Sequence, residues 1–161
     1  MKWTRGDFTI TTDPAMIDHA AVTAFLTASY WSEGIPASTV TRSIEGSLCF
    51  ALRSETRQIG FARVISDRAT VAFLSDVFIL PEFRGRGLGR WLLECLMSHP
   101  DLQGLKAWVL VTRDAHELYK KVGFKALARP ERYMELRNAD VYREAPQPIQ
   151  DTDQGDRPNV A

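Results

Sequence analysis

Few folds can accommodate the stretch 77–100, VFILPEFRGRGLGRWLLECLMSHP, in which a β-branched and aromatic run ends at a proline and an arginine-glycine loop opens an amphipathic helix. In Arg84-Gly85-Arg86-Gly87-Leu88-Gly89 a glycine stands at every second position just where the helix should start. Successive backbone N–H groups can then turn toward one anion with no Cβ in the way. Leu88, Trp91, Leu92, Cys95 and Leu96 fall on one helical face. The helix start adds a positive dipole end, and Arg84, Arg86 and Arg90 add formal charge. Such a turn is built to hold phosphate. With each charge-assisted bond worth roughly 1.5–3 kcal/mol, a handful can hold a pyrophosphate at about micromolar strength after association costs.

Spacing separates the possible owners of such a loop. A P-loop needs Gly-Lys-Ser/Thr, which is missing, and a G-x-G-x-x-G fingerprint needs glycine where Arg90 stands. What fits is Arg/Gln-x-x-Gly-x-Gly/Ala after a strand ending in a hydrophobic residue and proline, through Arg84, Gly87 and Gly89. Downstream, residues 105–112, LKAWVLVT, read as a buried strand, and DAHELYKKVGF follows at once, ending in A-x-x-x-Y-x-x-x-G-F. The two motifs, in this order and over residues 8–137, resemble the acetyl-CoA signature and the next helix of the GNAT superfamily of N-acetyltransferases.

The resemblance implies an α/β fold: a mixed central sheet splayed between its fourth and fifth strands, with helices on both faces and acetyl-CoA as co-substrate in the splay. Phe78 and Ile79 would offer backbone groups to the pantetheine arm, and an N–H there could polarise the thioester carbonyl. Arg84, Gly85, Arg86, Gly87, Leu88, Gly89 and Arg90 would hold the phosphates. Tyr119 matches the tyrosine that protonates the departing sulfur, or else packs as an aromatic on the sheet. Asp114 stands where many relatives have an asparagine that bonds the pantetheine. The loop carrying Tyr30, Trp31 and Glu33 would border the acceptor pocket, although its rings could instead pack between helices. A homodimer is a common state of the family.

Acetyl transfer to an amine also needs a group to manage the amine's proton, since an amine of pKa about 10.4 is free base in only about one molecule in a few thousand at neutral pH. Asp76 is the best-placed carboxylate, in a largely apolar strand just before the loop, where burial would make it hold a proton more readily. Diamine acetyltransferases of the superfamily carry Leu-Glu-Asp here, and this chain has Leu74-Ser75-Asp76. With serine replacing that glutamate, Asp76 either acts as the base or orients the amine while water takes the proton. A carboxylate merely satisfied by a neighbouring arginine is the structural alternative. His116, one turn before Tyr119, reads as a surface residue.

The rest of the chain is consistent with one domain over residues 1–137 and a polar, mobile tail over 138–161. Twenty basic and 20 acidic residues cancel, so no long-range field favours nucleic acid or an anionic membrane. Two cysteines with no CxxC or His/Cys cluster point to a reducing, cytoplasmic compartment and to no structural metal. With no apolar leader and no apolar run of about 18 residues, neither secretion nor membrane spanning is expected. Phe8 to Thr11 reads as the first strand, and Pro14 to Ala28 as a four-turn helix capped by Asp13. A short helix follows over 38–44, and then strands over 48–53, 58–66 and 70–80. Asp114 and Glu117 have capping-box spacing, which predicts Asp114 as a helix N-cap, and a last strand pair is expected around Pro130 over 124–128 and 132–137.

Two other classes compete with an acetyltransferase of small-molecule or protein amines. A non-catalytic acyl-CoA-binding domain would keep the glycine loop and have no use for Asp76 or Tyr119. An interaction module would not need the loop at all.

Overall fold

Every strand of the sheet pairs with the strand next to it in the chain. The structure, a computed structural model, describes residues 1–142. Strands β1 (Lys2–Arg5), β2 (Phe8–Thr11), β3 (Leu48–Arg53), β4 (Gln58–Ser66) and β5 (Val71–Ile79) form an antiparallel meander, and β6 (Ala107–Leu110) joins β5 in parallel. The first strand is additional to those read from the sequence, so the fourth and fifth expected strands are β5 and β6.

Alternation on β3 divides the core between the two faces of the sheet. Phe50 and Leu52 face a cluster built with Trp91, Leu92 and Leu96 of helix α3 (Leu88–Met97). Cys49 and Ala51 face one built with Val22 and Leu26 of α1 (His19–Thr27) and Val40 and Ile44 of α2 (Ala37–Glu45). A period of two on the strands against helices with apolar residues three and four apart thus puts helices on both sides. Among the described residues, no helix is long and apolar enough to cross a membrane.

Three expected elements differ. The four-turn first helix is broken in two: a 3-10 turn over Pro14–Met16 capped by Asp13, then α1 capped by Asp18, with Ile17 extended between them. A second aspartate competes for the backbone, its carboxylate accepting from Ala21 N at 2.9 Å while its own N–H donates to Gln58 Oε1 at 2.9 Å. Asp114 caps nothing. Helix α4 (His116–Lys120) starts after Ala115, whose N–H donates to Thr112 Oγ1 at 3.1 Å, while Asp114 pairs with Arg113 at 3.6 Å. The last strand pair is also missing: among the described residues no strand follows β6, and Pro130–Arg132 forms a 3-10 turn. Proline withdraws a ladder donor there, and Met134 and Leu136 are left 99% and 103% exposed. Of the tail read as polar and mobile, residues 143–161 lie outside the described residues, whereas Tyr142 packs against the cluster around Ile17 and Ile35.

Cys49 and Cys95 are both free and buried, and burial pushes their thiols up to about 12 and about 11. Because the reactive species is the thiolate, native protein at pH 8 is expected to react with a disulfide reagent at least tenfold more slowly than protein in guanidinium, by about the order that such shifts imply. Rapid titration of either thiol in the native state would contradict this burial.

Candidate active site

The β5–β6 ladder runs from Val71↔Ala107 to Leu74↔Leu110 and stops there. Among the described residues, 75–79 of β5 therefore have no strand partner on that side, which is the splay expected between these strands. On the other side β5 stays paired with β4, as Phe61↔Phe78 and Gly60↔Ile79. Gly60 is required for that approach, since a Cβ on it would lie 2.8 Å from Ile79 Cδ1 and 2.9 Å from the Phe78 carbonyl. Leu80 N–H donates to the Ile59 carbonyl at 2.8 Å, so by the antiparallel pattern the groups of Ile79 face the open side. The Ile79 carbonyl is taken there by Arg84 Nε at 2.9 Å.

The glycine loop follows through a 3-10 turn, Pro81–Phe83. Gly85 and Gly87 have φ of 76° and 74°, in the left-handed region where a side chain is strained. Gly87 is the N-cap of α3 and offers no side-chain cap, so among the described residues no N-cap side chain engages the first N–H groups of the helix. Gly89 sits between β5 and α4, a Cβ there being 3.7 Å from both Ile79 and Leu118. The three arginines differ. Arg84 folds back on Ile79, Arg90 pairs with Glu94 at 2.7 Å, and Arg86 lies over the Phe83 ring, 5.4 Å from its centroid, with only a long 3.5 Å contact to the Glu82 carbonyl.

Beside the loop, the splay opens into a cavity of about 580 Å³ that brings Tyr30, Trp31, Asp76, Asp114 and Tyr119 together. Of the expected site residues, Glu33, Phe78, Ile79 and the glycine loop do not line it; Gly89 lies against Leu118, the neighbour of Tyr119 on α4. Tyr119 is 9% exposed, and its hydroxyl has no hydrogen-bond partner among the described residues. Burial, helped by Tyr30 and Asp114, pushes this phenol up to about 12, so it enters neutral solution as a proton donor. Tyr30 and Trp31 meet edge to face with ring centroids 5.0 Å apart, and Arg113 stacks 3.6 Å from the centre of the Tyr30 ring. Phe25 stacks on Phe78 at 3.8 Å and fixes the floor beneath Trp31. His116 is exposed, as expected.

Asp76 is the unusual residue. Four residues of β5, Ser75 to Phe78, lie opposite three of β4, Arg63 to Phe61, and within this bulge Asp76 adopts φ 53°. Its carboxylate, 8% exposed, accepts from Arg63 Nε at 2.7 Å and from Trp31 Nε1 at 3.3 Å. Sequence reasoning missed Arg63, although a lone arginine in the apolar run of β4 was a signal that some buried acid awaited it. It also missed Glu135 and Arg137, which form the far wall of the cavity and lie in a segment read as strand. No group of three or more His, Cys, Asp or Glu that could hold a metal occurs among the described residues.

Comparison with known proteins agrees with this geometry. A family model described as acetyltransferase (GNAT) domain matches residues 45–126. A Gibberella zeae protein that bears the name acetyltransferase FG08082 is 36% identical over 148 residues, covering 77% of this chain and 82% of that protein. Among solved structures, an acetyltransferase assigned to the GNAT family from Xanthomonas campestris superposes with a TM-score of 0.82 at 43% identity, covering 85% of this chain and 97% of that one. An acetyltransferase from Clostridium acetobutylicum, solved with acetyl-CoA, shares the fold at 17% identity with a TM-score of 0.59, over 81% of this chain and 94% of that one.

Proposed function

Because this chain belongs to the GNAT acetyltransferases, we propose that it moves acetyl from acetyl-CoA to a primary amine of a small molecule or a protein, in the cavity of the β5–β6 splay. The observation that carries the reading is the meeting of Asp76 and Tyr119 in one cavity beside an uncapped, glycine-opened helix start. A domain that only bound acyl-CoA would need the second feature and not the first.

In this reading the N–H groups from Gly85 to Arg90, with Arg86 the least engaged cation, hold the diphosphate of acetyl-CoA. The unpaired edge of β5 at Ile79 receives its pantetheine arm, with Asp114 at the rim, and the Ile79 N–H, which faces that edge while the backbone groups expected of Phe78 turn to β4, donates to the thioester oxygen as charge gathers on it. Tyr30, Trp31 and Asp76 receive the acceptor. The amine nitrogen bonds to the carbonyl carbon, the carbon–sulfur bond breaks, Tyr119 gives its proton to the departing sulfur, and the amine's surplus proton leaves to water. The two buried thiols support a reducing, cytoplasmic setting. The homodimer that the resemblance implies would cover Met134 and Leu136, and light scattering of the native protein tests it.

The test of the reaction is thiol release from acetyl-CoA mixed with a panel of primary amines. Release that rises with amine concentration is expected. Tight CoA binding with no release by any amine would favour the acyl-CoA-binding alternative.

A further inference from the structure

Arg63 touches neither the acetyl-CoA path nor the acceptor in the reading above, yet its guanidinium, 14% exposed, is engaged at all three nitrogens. Nε donates to Asp76 Oδ2 at 2.7 Å, Nη1 to Ser47 Oγ at 3.2 Å and Nη2 to Ser75 Oγ at 3.3 Å. Ser75 is the residue directly opposite Arg63, and Asp76 is the next one on β5, where the bulge begins. A bulge re-aims the side chain it carries, and aspartate is one of the few residues that tolerates φ near 53°. Left alone, such a turn would leave the carboxylate with several directions open to it. The guanidinium fork fixes one oxygen to the sheet, and the Trp31 indole fixes the other to the loop between α1 and α2.

We propose that Arg63 is a positioning residue, which holds the Asp76 side chain aimed into the cavity so that it binds and orients the acceptor's amine while water takes the amine's proton. Asp76 sits between two donors fixed on different elements, Arg63 Nε on β4 and Trp31 Nε1 on the loop between α1 and α2, so the direction of its remaining lone pairs is set on the wall of the cavity it lines. The acceptor class that follows is a primary amine that arrives as an ammonium group, gives one proton to water before its nitrogen attacks, and sets its apolar neighbourhood against Tyr30 and Trp31. Lysine cannot replace Arg63, because a single ammonium cannot reproduce a planar fork that reaches Asp76 and both serines at once.

The proposal rests on the acetyl-transfer reading, and the experiment keeps the two apart. Thiol release at saturating acetyl-CoA is measured with spermidine, benzylamine and a lysine tetrapeptide for wild type, Arg63→Gln, Arg63→Lys, Asp76→Asn and Arg63→Gln/Asp76→Asn. Arg63→Gln is expected to lower kcat/KM for the amine by roughly 10²-fold, as a misaimed binding group does. Acetyl-CoA affinity stays at the wild-type value and Arg63→Lys recovers only part of the loss. In the Asp76→Asn background the same change adds no more than about twofold, because Arg63 acts only through Asp76. Equal losses in both backgrounds, or wild-type activity in Arg63→Gln, overturn the proposal.

Because Arg63→Gln strands a buried charge and could fail to fold, the indole ¹H–¹⁵N cross-peak of Trp31, assigned with Trp31→Phe, is followed in wild type, Arg63→Lys and Asp76→Asn. It should move in both variants, and a peak that stays in place in Arg63→Lys overturns the positioning role. If wild type acetylates none of the three amines, acetyl transfer to an amine is the reading that falls, and the cross-peak still decides on Arg63.

Discussion

Gly87→Val is expected to abolish acetyl-CoA binding in a protein that still folds. At φ 74° and ψ 4° Gly87 lies in the left-handed region, so any L side chain there carries a strain of about 1–2 kcal/mol. Nothing in the protein adds to that cost, since a Cβ on Gly87 meets no atom within 4 Å. The space is open, and it lies before the uncapped N–H groups of α3, where the phosphates are assigned. A β-branched side chain fills it and at the same time favours a φ that turns those donors aside. Isothermal titration should show binding for wild type and none for the variant at concentrations about 100-fold above the wild-type Kd. The melting temperature should fall by only about 2–8 °C, the shift that such strain causes in a domain of this size. Unchanged affinity would move the phosphate site elsewhere. Gly89→Ala offers the contrast, because its Cβ would make ordinary 3.7 Å contacts with Ile79 and Leu118. The glycines of one motif thus serve two ends, Gly85 and Gly87 the left-handed turn and Gly89 the contact between β5 and α4.

Tyr119→Phe should lower kcat by roughly 10²–10⁴-fold with little change in acetyl-CoA affinity, the signature of a positioned proton donor whose ring is retained. The phenol is pushed up to about 12 chiefly by burial, with Tyr30 and Asp114 adding to it. It therefore stays protonated through the whole neutral range, and any alkaline fall in wild-type kcat below about pH 10 must come from another group. The sign for stability follows from the same shift. A pKa higher in the folded than in the unfolded chain contributes stability that is complete below the unfolded value near 10 and disappears as pH rises through 12. The phenylalanine variant should lose this term and show a flatter stability curve between those values in urea titrations at stepped pH. Full activity in Tyr119→Phe would return the tyrosine to the core and leave solvent as the acid.

The parts of the site legible in the sequence were those written in local chemistry. The order strand, proline, glycine loop, helix marks an anion-binding turn without any knowledge of the sheet, and so the loop and α3 stand where they were expected. The spacing of Tyr119 before Gly123 and Phe124 likewise survives as a short helix, closed by Phe124 N–H donating to the Tyr119 carbonyl. What sequence could not show were relations across strands. Register alone sets Arg63 against Ser75, and a bulge alone turns Asp76 from an ordinary strand position into a clamped carboxylate. The capping box at Asp114 and the helix from Pro14 failed for another reason. In both places a second polar side chain, Thr112 or Asp18, offered the backbone a competing hydrogen bond, and local propensity has no means to choose between two good caps. The expected strand over 132–137 has the right alternation, with Glu135 and Arg137 on the cavity and Met134 and Leu136 outward, but among the described residues it pairs with no strand.

The agreement between strand order and chain order bears on how the molecule comes into being. β1–β2, β3–β4 and β4–β5 pair across short turns, and only β2–β3 and β5–β6 pair across longer stretches. The long excursion between β2 and β3 is occupied by α1 and α2, which pack on each other. Such a topology keeps contact order low, and sheets of this kind can grow by addition at one edge as the chain leaves the ribosome. β6 and α4 come last in that sequence, and they bring Tyr119. The turn proposed to hold the phosphates can thus be in place before the residue proposed as the proton donor arrives.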